Sequence, residues 1–113
     1  MPSSTLSLTI ELLKQKSVTP EDSGCLEIIA ARLAALGFKI EFLPFGDVTN
    51  LWATHGSEKP VFTFAGHTDV VPAGDLEAWS SDPFSPQIRN GYLYARGAAD
   101  MKASLAAMVT SIE

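Results

Sequence analysis

Leu6, Ile10, Leu12 and Leu13 recur at mainly helical spacing between Ser3 and Lys16, with serines and a threonine available as N-caps, so the pattern predicts a first helix there. Ser17-Val-Thr-Pro20 ends it, because the residue before a proline avoids the helical region. A second helix is predicted from near Pro20, with Glu21 and Asp22 in a first turn where acids favour the helix dipole. Its apolar stripe runs through Leu26, Ile29, Ala30, Leu33 and Leu36 and stops at Gly37. The alternating stretch Phe38 to Leu43, a turn over Pro44 to Asp47, and the stretch Asn50 to His55 predict two strands. Val61, Phe62, Phe64 and Ala65 then form an apolar run of the kind a buried third strand shows, ending at Gly66 and His67. This order predicts an α/β fold, a sheet flanked by helices.

After Pro72 the composition changes. Residues Ala73 to Pro86 are rich in Gly, Asp, Ser and Pro and carry Trp79 and Phe84. Loops of this length in compact domains are more often functional than accidental, although the two aromatic residues also suit a loop pinned to the body. Gln87-Ile-Arg and Tyr92-Leu-Tyr, split by Asn90-Gly91, predict a hairpin with a type I′ turn. From about Met101 the helical period returns with Leu105, Met108, Val109 and Ile112, and no Gly, Asn or Pro follows as a stop. The expectation is that residues 1–113 are the N-terminal portion of a longer protein.

A length of 113 residues suits one small domain, and 46% hydrophobic with 19% charged residues is ordinary globular composition. The net charge of −5 comes with no basic patch, which argues against nucleic acid as the main partner. Cys25 has no second cysteine to pair with and lies among Leu26, Ile28 and Ile29, so it reads as a buried thiol. No segment approaches the roughly 18 apolar residues of a membrane span, and no signal-like start is seen, so a cytoplasmic protein is expected.

His67 and Asp69 stand at i and i+2 at the C-terminal end of the apolar run, an edge where α/β sheets bind ligands. Either both face a site, or the carboxylate sits behind the imidazole and fixes its tautomer. The plainer alternative is a polar turn closing a strand. Asp100 falls at a loop-to-helix junction, where an N-cap alone would account for an aspartate. His55, beside a turn, reads as a surface histidine. The chain has no P-loop and no G-x-G-x-x-G.

Taken in order, Gly66-His-Thr-Asp-Val-Val-Pro72, Trp79 with Pro83-Phe84, Gly91-Tyr-Leu-Tyr and Arg96-Gly-Ala-Ala-Asp-Met-Lys102 resemble the di-zinc aminoacylase and carboxypeptidase family. The resemblance implies that His67 ligates one zinc, that Asp100 bridges two, and that Asp69 supports the histidine as a catalytic-site carboxylate. It implies metal-assisted amide hydrolysis, with cobalt as a possible substitute for zinc. The nearest likeness is to bacterial enzymes that cleave N-succinyl-LL-2,6-diaminopimelate to succinate and LL-2,6-diaminopimelate in lysine and diaminopimelate synthesis, as homodimers. Another acyl-amino acid substrate, such as acetylornithine, and a non-catalytic α/β binding domain are the rival readings. By the same resemblance the general-base glutamate, two carboxylate ligands, a late histidine and the dimerisation domain lie beyond Glu113. Weak zinc affinity and no hydrolysis are therefore expected of residues 1–113 alone. The resemblance also allows a cis peptide after Asp100.

Overall fold

A computed structural model describes residues 3–113. Helix α1 spans Ser4–Leu13, and the Ser3 hydroxyl oxygen accepts a hydrogen bond from Leu6 N, as the capping pattern predicts. Helix α2 spans Cys25–Ala35 and helix α3 spans Ala103–Ile112. Leu8 and Leu12 of α1 pack with Cys25, Ile29 and Leu33 of α2 and with Leu105, Ala106 and Val109 of α3. Each such large aliphatic side chain contributes about 1.5–3 kcal/mol on burial, so this three-helix contact is the main store of stability. Cys25 is fully buried, as expected, and desolvation raises its thiol pKa. Among the described residues no helix is long and apolar enough to cross a membrane.

Strands β1 (Lys39–Phe45) and β2 (Val48–Thr54) pair antiparallel, with Ile40 opposite Ala53 and Phe42 opposite Leu51. Phe38, Ile40, Leu51 and Ala53 turn towards the helical core, while Trp52 faces outward. Strands β3 (Gln87–Arg89) and β4 (Tyr92–Tyr94) form the second hairpin. Its turn residues Asn90 and Gly91 have φ of 52° and 80°, the left-handed pair that a type I′ turn requires. Between the hairpins, the Trp79 indole N–H donates to Ala73 O, the Lys16 ammonium lies over the Phe84 ring, and Arg96 N donates to Pro83 O. Pro83 and Phe84 thus hold the long loop to the body, while the Trp79 bond closes the loop on its own first residue.

Two sequence expectations need correction. The second helix begins at Cys25, not near Pro20. Ser17 to Thr19 is extended instead, because Val70 N donates to Ser17 O at 2.8 Å and Thr19 N donates to Val70 O at 3.0 Å. Ser23 and Gly24, with φ of 55° and 94°, cannot continue a helix. Asp22 therefore caps α2 from outside, its Oδ2 accepting from Leu26 N at 2.9 Å. The third strand also fails to form as a strand. Residues 61–65 make no sheet ladder among the described residues, and Val61 and Phe62 are 78% and 83% exposed. An apolar run becomes a strand only beside a hydrogen-bonding neighbour, and among the described residues neither hairpin pairs with this one.

Candidate functional site

The extended run delivers His67 to a point between two loops. On one side the ring Nδ1 lies 3.0 Å from the main-chain oxygen of Asp69 and 3.4 Å from its carboxylate Oδ1. On the other, Nε2 lies 3.0 Å from Asp100 Oδ1, across 33 residues of sequence. Both ring nitrogens face acceptors at 3.0 Å, and a neutral imidazole donates to only one of them. With the proton on Nδ1, Nε2 presents its lone pair beside the Asp100 carboxylate, the arrangement of two donors that a metal ion takes.

Asp100 reaches this position because the chain is not yet helical there. Asp100 and Met101 have φ, ψ of −126°, 94° and −139°, 30°, inside an irregular turn over Ala98–Lys102, and the peptide between them is cis. The Asp100 carboxylate makes no N-cap bond to α3. It is 87% exposed and bonded to His67, so the capping explanation does not hold. The turn is fastened at both ends. Gly97 has φ of 92°, and a Cβ placed on it would lie 2.5 Å from Val70 Cγ1. Gly97→Ala is expected to cost about 1–3 kcal/mol in stability, read by urea unfolding, through left-handed strain and this clash. A loss below about 0.5 kcal/mol would show that the turn is not held as tightly as the structure indicates.

At the other end, Lys102 is fully buried and its ammonium donates to Leu12 O at 2.8 Å and Gln15 O at 2.9 Å. These carbonyls lie at the C-terminal end of α1, where the helix dipole favours a cation. Desolvation lowers the Lys102 pKa from its ordinary value. The sequence motif contained Lys102, but no local pattern identified it as the anchor of the turn.

A cavity of about 230 Å³ opens beside the pair, lined by Thr19, His67, Asp69, Arg96, Gly97 and Asp100 among others. Arg96 stacks over Trp79 at 5.3 Å and brings positive charge to this cavity. His55 is exposed and tilted against Phe38, remote from this cavity's lining, as a surface histidine would be. Glu113, the last residue, is engaged by Arg32 through two bonds of 2.7 and 3.0 Å. Those hydrogen bonds lower its carboxyl pKa from the ordinary value.

The donor set suits zinc. A neutral imidazole nitrogen and a carboxylate oxygen are normal zinc ligands, and two donors on one tetrahedral ion stand about 3.3 Å apart, close to the spacing seen here. Among the described residues no group of three His, Cys, Asp or Glu side chains is arranged to hold a metal ion. Taken as ligands, the pair would supply two of the about four donors that a zinc ion takes.

Residues 63–113 match peptidase family M20/M25/M40, a stretch that contains both His67 and Asp100. The chain is 66% identical over 111 residues to succinyl-diaminopimelate desuccinylase of Acinetobacter baumannii (strain ACICU), covering 98% of this chain and 29% of that protein. It is 64% identical over 111 residues to the protein of the same name from Thioalkalivibrio sulfidiphilus (strain HL-EbGR7), covering 98% of this chain and 30% of that one. It is 62% identical over 109 residues to the one from Azoarcus sp. (strain BH72), covering 96% of this chain and 29% of the relative. The chain thus spans less than a third of the length of these curated relatives. The similarity to these desuccinylases extends across nearly the whole sequence, and within it residues 63–113 belong to peptidase family M20/M25/M40.

Proposed function

We propose that this chain contributes His67 and Asp100 to the metal centre of an amidohydrolase that cleaves N-succinyl-LL-2,6-diaminopimelate to succinate and LL-2,6-diaminopimelate. The observation that carries this reading is the facing of His67 Nε2 and Asp100 Oδ1 at 3.0 Å with the ring's other nitrogen already occupied. The relatives' names support the substrate. Zinc, for which cobalt can substitute, would be held by His67 and Asp100 together with ligands from outside residues 1–113. When bound, it supplies Lewis acidity for the attack of water on the amide carbonyl.

The chain's own residues then have separate tasks. His67 presents Nε2 because Asp69 occupies Nδ1 and so sets the tautomer. Asp100 offers an acceptor oxygen on a turn fixed by Gly97 and Lys102, which keeps its position without a helix cap. Glu113, engaged by Arg32, is not the general base. Residues 1–113 alone therefore hold metal weakly and hydrolyse nothing. In this reading the whole protein is a cytoplasmic homodimer serving lysine and diaminopimelate synthesis.

Acyl selectivity of the protein from the full reading frame tests the substrate. The succinyl compound is expected to exceed the acetyl analogue, including N-acetylornithine, by at least about tenfold in kcat/KM, since a site that pairs a carboxylate penalises its loss. Preference for an acetyl substrate would transfer the chain to a different acyl-amino acid hydrolase.

A further inference from the structure

We infer that Thr19 is a positioning residue for the metal centre, an inference that rests on the metal-holding role proposed for His67. The Asp69 carboxylate has two oxygens with different duties. Oδ1 lies 3.4 Å from His67 Nδ1, a longer contact beside the 3.0 Å one that this nitrogen makes with the main-chain oxygen of Asp69, and Oδ2 accepts a hydrogen bond from the Thr19 hydroxyl. The terminal torsion of an aspartate is broad and roughly two-fold, so the side chain has little preference of its own for the rotation that aims Oδ1 at the ring. Asp69 is 40% exposed, and water competes for both oxygens. The bond from Thr19 selects the rotation that supports the imidazole.

Thr19 can do this because its own position is fixed from both sides. Its N–H donates to Val70 O at 3.0 Å, and Val70 N donates to Ser17 O at 2.8 Å. The Ser17 hydroxyl donates to Thr68 O at 2.8 Å, and the Thr68 hydroxyl donates to Asp22 Oδ1 at 2.6 Å. Asp22 is in turn bonded to the first turn of α2. The linker from Ser17 to Asp22 thus grips residues 68–70, immediately after His67, along its whole length. The same brace that keeps this linker out of a helix carries the Thr19 hydroxyl to Asp69. Val70 O, 3.3 Å from Thr19 Oγ1, is the weaker second acceptor.

Thr19→Val removes the hydroxyl but keeps the branched shape and the main-chain bonds to Val70. Thr19→Ser keeps the hydroxyl. Both are compared with the unmodified protein from the full reading frame, with Co(II) as the probe, by its dissociation constant and its visible absorption band. The expected result is a loss of about tenfold in Co(II) affinity and a shifted band for Thr19→Val, the usual scale for removing a group behind a ligand, with Thr19→Ser restoring both. Thermal unfolding of the metal-free proteins is expected to be unchanged. Co(II) affinity and band in Thr19→Val equal to the unmodified protein would overturn the inference, as would equal weakening in the valine and serine variants, since the hydroxyl would then not be the cause. An unmodified protein that takes up no Co(II) would instead overturn the metal reading beneath it, and this inference with it.

Discussion

His67→Ala, made in the protein from the full reading frame, is expected to weaken metal binding by about a hundredfold or more and to leave hydrolysis undetectable. Structural metal sites gather roughly 10–16 kcal/mol from about four ligands, so one ligand accounts for a few kcal/mol. The side chain is 49% exposed and its bonds run to Asp69 and Asp100, not to the helical core, so folding stability should change by no more than about 0.5 kcal/mol. Asp69→Asn gives the graded comparison. It retains a side chain of the same shape behind the ring and should cost about 10–100-fold in affinity or activity while leaving much of the metal bound. Metal content by mass spectrometry and titration with a competing chelator measure both variants. Unchanged zinc content in His67→Ala would remove the histidine from the ligand set, and near-normal turnover in Asp69→Asn would remove the supporting role of Asp69.

The second large effect belongs to a residue that touches no substrate. Lys102→Met is expected to destabilise the fold by about 2–4 kcal/mol, because it withdraws two bonds from carbonyls at the end of α1 and leaves polar atoms beside an apolar side chain. The pH dependence separates this from simple loss of packing. Burial lowers the Lys102 pKa, so between its folded value and the ordinary lysine value the unfolded chain binds more protons than the folded one. The stability contributed by this group therefore rises with pH across that window and falls as pH drops through the folded pKa. Cys25, whose thiol burial shifts the opposite way, is held down in part by the Lys102 charge; without that charge its pKa rises further, which costs Lys102→Met stability as pH rises and widens the gap in the same direction. The stability gap between the unmodified protein and Lys102→Met should widen from neutral pH towards about pH 10, as measured by urea unfolding at several pH values. A gap that is constant or narrows would show that Lys102 is not desolvated as the structure places it.

The helices were legible because each buries a stripe that the sequence displays at a period near 3.6, and Leu12, Ile29, Leu33, Leu105 and Val109 lie in the core; Leu8 joins them although the stripe read for the first helix omitted it, and Leu6 and Ile10 of that stripe are only half-buried. Asn90-Gly91 was legible because only such a pair takes two left-handed conformations in succession. His67 and Asp100 were identified from motifs, and the fold brings them to 3.0 Å. What local pattern could not carry was anything fixed by partners far along the chain. Asp22 looked like a first-turn acid, yet it caps α2 from outside and holds Thr68, 46 residues away. Lys102 reaches Leu12 across 90 residues, and no window of sequence contains both. The apolar run at 61–65 had a strand's composition, but a strand also needs a hydrogen-bonding neighbour, and composition does not supply one.

The most direct test of the central claim is the rate of N-succinyl-LL-2,6-diaminopimelate hydrolysis by the protein from the full reading frame, before and after removal of metal by a chelator and again after zinc is restored. Hydrolysis is expected to disappear with the metal and to return with zinc. Hydrolysis that survives complete removal of metal, or a zinc-loaded protein that never cleaves the succinyl amide, would contradict it.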